Sequence, residues 1–157
     1  MKKTFDLILA VLICQGMGLI GSLFTTPAIP SWYAGLIKPS FNPPNWIFAP
    51  AWILLYTLMG IAAFLIWNRR NGKKKIKTAL VLFSVQLVLN SLWSIIFFGL
   101  HLPQYAFLEI LVLWVFILLT LLSFYKISKP AGLLLLPYIL WVSFAAILNL
   151  SIMILNW

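Results

Sequence analysis

The sequence predicts an all-α integral membrane protein, a bundle of five transmembrane helices with a long structured first loop. Three observations carry this. Of the 157 residues, 64% are hydrophobic and 8% charged, and mean hydropathy is +1.08; soluble domains carry about 25% charged residues. The apolar residues gather into five runs, each close to the roughly 20 residues that cross a hydrocarbon core. The 11 Lys and Arg stand almost entirely in connections between those runs. The whole chain, 1–157, therefore reads as one membrane domain. Its net charge of +9 sets topology and marks no nucleic-acid surface, because no basic domain is present to grip a phosphate backbone.

The first span is read over Phe5–Phe24. The apolar run exceeds signal-peptide length, and Gly16, Gly18, Gly21 and Ser22 suit a packed membrane helix, so an uncleaved span is expected. Cys14, Gly18 and Ser22 recur every four positions and form a flat face, for a neighbouring helix or for a flat ligand. The single cysteine excludes an intrachain disulfide and a cysteine metal cluster. Residues 25–45 form the long connection. Pro39, Pro43 and Pro44 precede Trp46, and Pro50 stands just inside the next helix, so this loop is expected to be stiff. Trp32, Tyr33, Pro43 and Pro44 fit a lid over a site. Trp32 and Tyr33 equally fit anchors at the headgroup level, and composition leaves both readings open.

The second span is read over Trp46–Trp67, with Phe48, Trp52, Tyr56, Met59 and Ala63 on one face. The third covers Thr78–Gly99, where Gln86, Asn90, Trp93 and Phe97 share a face. Amides at membrane depth are costly unless paired, so this face is expected to meet protein or a cavity. A turn with His101 and Pro103 leads to the fourth span, Tyr105–Tyr125. Glu109, one of two acidic residues, lies about one turn inside that span. It fits a carboxyl near the interface bonded to a neighbour, or a buried group that tunes a site. The fifth span covers Ala131–Leu155, is expected to kink at Pro137, and aligns Tyr138, Trp141, Ala145, Asn149 and Ile152 on one face.

Five spans allow a charge test. Lys2, Lys3, Arg69, Arg70, Lys73, Lys74, Lys75, Lys77, Lys126 and Lys129 fall on one side and Lys38 alone on the other. The positive-inside rule then puts the N-terminus inside and the long loop outside, in a bacterial plasma membrane. No paired carboxylates, nucleophile–base pair, phosphate loop, metal motif or twin-repeat transporter pattern appears. If the faces of spans two, three and five converge, Trp52, Trp93 and Trp141 wall a cavity with few hydrogen-bonding groups, suited to a large, flat, mostly apolar ligand. The alternative is a solid aromatic core. Close helix packing in membranes favours small residues, which leaves inward indoles harder to explain that way.

The runs WYAGLIKPSFNPPNWIFAPAWILLYTLMGIAAFLIW, QLVLNSLWSIIFFG and PYILWVSFAAILNLSIMILN closely resemble the TspO/MBR family. These are the tryptophan-rich sensory proteins, related to the mitochondrial translocator protein or peripheral benzodiazepine receptor. The resemblance covers nearly the whole chain. It implies a five-helix bundle, commonly a homodimer, with a pocket under the first loop for porphyrins such as protoporphyrin IX and for synthetic isoquinoline and benzodiazepine-site ligands. It also implies light-dependent degradation of protoporphyrin IX, with Trp52 and Trp141 at the positions of the pocket tryptophans and Asn90 as the pocket amide. Trp93, Ala145 and Asn149 match further motif positions, and Phe48 belongs to the same face. Phe41 stands where the family often has Trp, and the residues after Tyr138, ILWVS, lack the basic residue of the cholesterol-recognition pattern.

The expected function is thus a membrane receptor or sensor that binds a tetrapyrrole, with no obligatory cofactor and no metal. Trp52 and Trp141 are expected to flank the ring and Asn90 to supply polar contact. The main alternative is a transporter of porphyrins or other amphiphiles.

Overall fold

The computed structural model describes residues 2–69 and 72–156; Arg70, counted in the charge test, lies outside them. Among the described residues five helical segments are long and apolar enough to cross a membrane: Lys3–Ala28, Asn45–Trp67, Lys73–Gly99, Pro103–Ile127 and Lys129–Leu155. The elements are α1 (Lys2–Ala28), α2 (Phe48–Trp67), α3 (Lys73–Ser94), α4 (Pro103–Ile127), α5 (Lys129–Leu133) and α6 (Leu136–Leu155).

Each span departs from its sequence-based bounds for a local reason. Helix α1 continues past Phe24 to Ala28. Pro27 stands next to the last residue, so its missing N–H removes one bond at the very end of the helix and no turn follows to be disrupted. The long connection shortens accordingly and is ordered by two 3₁₀ turns, Tyr33–Gly35 and Asn45–Ile47, the second leading straight into α2. The third span ends in a π-helical turn, Ile95–Gly99, closed by Leu100 N–H donating to Ile95 C=O at 2.8 Å. His101, at φ 58°, then reverses the chain into α4 within a few residues. The fifth span is two helices, and the break at Leu134–Leu135 falls just before Pro137, not at it. Proline in the first turn of α6 costs no bond within that helix, since its missing N–H has no intrahelical partner there.

Helix α1 packs on α2 and α3, α3 on α4, and α4 on α6. Small residues set the closest approaches. A Cβ at Gly60 would lie 2.5 Å from the Val11 Cα, so α1 and α2 touch backbone to backbone there. Gly18 makes the same close contact with the Tyr56 ring. Below this level the core is largely apolar, with Ala62, Ile66, Ala79, Ile117 and Ala131 fully buried and Phe83 stacked on Phe124 at 5.6 Å.

Candidate functional site

Above the Gly60–Val11 contact the bundle opens into a cavity of about 430 Å³, bounded by α1, α2, α3, α6 and the long loop. Small-molecule sites span about 300–1,000 Å³. Phe48, Trp52, Asn90, Trp93, Trp141, Ala145 and Asn149 all line it, so the faces of spans two, three and five do converge. Aromatic rings form the wall. Trp52 meets Trp141 edge to face, centroids 6.5 Å apart at 85°, and Phe48 meets Trp141 at 6.4 Å and 77°. Trp93 stacks on Phe97 at 5.2 Å, a pairing completed by the π-helical turn that carries Phe97 and Phe98.

The polar groups divide into two kinds. Most are engaged by the protein. Tyr56 O–H donates to Asn90 Oδ1 (2.8 Å), Asn90 Nδ2 donates to the Tyr138 hydroxyl (2.7 Å), and Tyr138 O–H donates to Gln86 Oε1 (2.7 Å). Gln86, Asn90 and Tyr138 are all buried, so this chain ties α2, α3 and α6 together at the cavity floor. At the other end, Trp93 Nε1 donates to Asn149 Oδ1 (3.1 Å) and Asn149 Nδ2 to the Pro103 carbonyl (2.9 Å). Trp114 Nε1 donates to Ser143 Oγ (2.8 Å). Other lining side chains are not engaged: among the described residues the N–H groups of Trp52 and Trp141, and the side chains of Thr26, Asn45 and Ser94, have no hydrogen-bond partner in the protein.

Asn90 has a structural task besides lining the cavity. Its amide reaches the cavity wall, but one oxygen lone pair and one N–H are already held by two tyrosines, so its first task is to fix the floor. The lid residues also separate. Tyr33 is buried and lines the cavity, with Tyr33–Phe48 centroids at 6.4 Å. Trp32 is not part of the lining; it stacks on His101 at 4.4 Å and 16° and meets Phe97 edge-on. Pro43 and Pro44 also stay outside the lining, and Pro44 caps the 3₁₀ turn before α2. Their effect on the cavity is through loop geometry.

The loop is fastened at three points. Lys38 Nζ donates to the carbonyls of Tyr33 (2.7 Å), Leu36 (2.9 Å) and Ala34 (3.3 Å) and sits 5.0 Å over the Tyr33 ring. Tyr33 O–H donates to Asn42 Oδ1 (2.6 Å), and burial pushes its phenol up to about 12. Asn156, past the end of α6, pairs with Ile37 as a strand would: Ile37 N–H donates to Asn156 Oδ1 (2.9 Å) and Asn156 Nδ2 to Ile37 C=O (2.8 Å). The sequence reading missed Asn156, and no local signal marks it. It also missed Gln15, whose Nε2 donates to the Ile53 carbonyl (2.9 Å) and Thr57 Oγ1 (3.0 Å) at the α1–α2 rim of the cavity. Here a signal existed: a lone amide inside an apolar run needs a partner. Glu109 lies outside the cavity lining, and both its carboxyl oxygens are buried without a partner among the described residues. Among those residues no cluster of His, Cys, Asp and Glu is placed to hold a metal ion.

Fold and site together define a polytopic helical membrane protein with an aromatic internal cavity beneath an ordered loop. The TspO/MBR family profile matches residues 10–155. The chain is 43% identical to a protein named Tryptophan-rich protein TspO from Chlorobaculum tepidum, over 99% of this chain and 98% of that one. It is 45% identical to the protein of that name from Archaeoglobus fulgidus, over 96% of each chain. It is also 38% identical to a Translocator protein from Ovis aries, over 84% of this chain and 79% of that one. The chain belongs to the TspO/MBR family.

Proposed function

We propose that the protein is a membrane receptor or sensor whose cavity binds a tetrapyrrole such as protoporphyrin IX, with Trp52 and Trp141 against the ring. The carrying observation is the contrast among cavity tryptophans. The Trp93 N–H is taken by Asn149, while among the described residues those of Trp52 and Trp141 have no protein acceptor. Two crossed indoles with unused donors support a ligand that is flat, apolar over its faces and acceptor-bearing at its edge. Synthetic isoquinoline- and benzodiazepine-type compounds share that description and are read as further occupants. Light absorbed by a bound porphyrin would act on the indoles in van der Waals reach, and this supports Trp52 and Trp141 as electron donors or oxidation targets in porphyrin degradation. The proposal includes a bacterial plasma membrane with the N-terminus inside, on the ten-to-one charge bias, and a homodimer.

The test is a titration of purified protein with protoporphyrin IX, followed by tryptophan quenching in the dark and by bleaching in the light. Trp52→Phe/Trp141→Phe keeps two rings and removes both donors. It is expected to weaken Kd roughly 10- to 30-fold, two hydrogen bonds of about 1 kcal/mol each, and to slow bleaching. A double variant that binds and bleaches as wild type does sinks this assignment.

A further inference from the structure

At the end of the bundle away from the loop, one face of α3, with the last residue of α2 and Arg69 beside it, lines a second, open groove of about 680 Å³. Its rim is basic and its depth apolar. Arg69, Lys73 and Lys77 stand at the rim with Trp67, and Ile76, Leu80, Val81 and Val85 continue the lining down α3, joined by Ser84, whose hydroxyl is spent on the Leu80 carbonyl. From Lys73 to Val85 the helix rises roughly 18 Å, at about 1.5 Å per residue. One leaflet of hydrocarbon is about 15 Å deep, half of the roughly 30 Å core. Below Lys77 the lining continues for roughly 12 Å to Val85, so the groove runs from a cationic surface through most of one leaflet. Trp67, 67% exposed at the last position of α2, is where indoles mark the membrane–water boundary.

Charge decides what fits there. The chain has two carboxyls against 11 Lys and Arg. Glu109 is near the start of α4, at the other end of the bundle, so Asp6 in α1 is the carboxyl on this side. Arg69 is fixed at the rim by Nη2 donating to Ser128 Oγ (3.1 Å), and a guanidinium has further N–H groups to offer. A positively charged rim above an apolar trough is complementary to one lipid chemistry: an anionic phosphate with an acyl chain attached.

We propose that this groove binds an anionic phospholipid, its phosphate between Lys73, Lys77 and Arg69 and one acyl chain along α3. Neutral phospholipids share the chain but carry a compensating cation, and free phosphate esters share the charge but leave the trough empty.

Full-length protein in a neutral detergent is mixed with equal amounts of phosphatidylglycerol and phosphatidylcholine, and retained lipid is counted by native mass spectrometry. Phosphatidylglycerol is expected to be retained preferentially. Lys73→Gln and Lys77→Gln are each expected to lower that preference about fivefold. Lys74→Gln/Lys75→Gln removes two charges from the same turn outside the groove lining and is expected to leave the preference in place. Val81→Trp, at a position 54% exposed, fills the trough without entering the core and is expected to expel the lipid with all cations intact. Equal retention of the two lipids overturns the proposal. So does a loss with Lys74/Lys75 as large as with Lys73/Lys77, which would mean diffuse charge, or displacement of the lipid by glycerol 3-phosphate at equal concentration, which would mean the trough contributes nothing.

Discussion

Helices α1 and α2 touch backbone to backbone at Gly60 and Val11, yet about one turn further along α1 they part around the cavity and are joined by the Gln15 amide. The same two helices obey different packing rules at the two levels. In the lower region small residues let helices close and apolar side chains fill what remains, so dispersion holds the bundle. In the upper region aromatic rings hold the helices apart, and hydrogen bonds from buried amides and phenols set the spacing. Added bulk costs most in the lower region, and a lost buried hydrogen bond costs most in the upper. The difference shows how a membrane bundle keeps a cavity open: it replaces close contact by directional contact over part of its height.

Adding bulk where the helices touch is the strongest way to break that contrast. Gly60→Leu would drive a side chain into the Val11 backbone and is expected to destabilise the protein by about 3 kcal/mol or more. Thermal unfolding in detergent reads the loss; a Tm within a degree of wild type would mean the contact is not as close as described. Removing a hydrogen-bonding group from the floor is the second way. Tyr138→Phe leaves the ring in place, takes the acceptor from Asn90 and the donor from Gln86, and is expected to cost about 2 kcal/mol in the same measurement. Gly18→Ala, which adds a methyl against the Tyr56 ring, tests the boundary between the regions, and its effect should fall between the two above.

The loop offers finer tests. Asn156→Ala removes both bonds to Ile37 at an exposed position, so the stability change is expected to be about 1 kcal/mol or less. The rate at which a cavity ligand dissociates should rise by several-fold, as stopped-flow fluorescence would report; unchanged rates would exclude the pairing as a restraint on the loop. The smallest expected effect is in pH. Burial raises the Tyr33 phenol from 10.0 to about 12. A raised value means that the folded state favours the protonated form. Its contribution is complete below pH 10 and is lost as pH rises through about 12. A difference titration of wild type against Tyr33→Phe at the phenolate band should show no ionisation of Tyr33 below pH 10.

Much of this was legible in the order of residues. The five spans follow from uninterrupted apolar runs, and the cavity faces follow from Trp52, Trp93 and Trp141 standing with Asn90, Asn149 and Ala145 at helical spacing. Period alone could not say which polar groups are spent. Asn90 and Asn149 look alike as buried amides, and so do the indoles of Trp93 and Trp52. Only the positions of Tyr56, Tyr138 and Pro103 on other helices separate those already bonded from those open to a ligand. Trp32 and Tyr33 are chain neighbours with equal claims to be lid residues, yet one faces His101 and the other the cavity.

The sequence by itself determined a five-span membrane protein, the placing of its charges and the faces that turn inward, because hydropathy and helical period are local properties. The tertiary structure decided the π-helical turn that gathers the Phe97 and Phe98 rings, the division of donors between protein and cavity, and the pairing of Ile37 with Asn156 across 119 residues. Each of these depends on where distant backbone groups come to rest, and a hydrogen bond is specific to distance and angle in a way that a hydropathy pattern cannot encode.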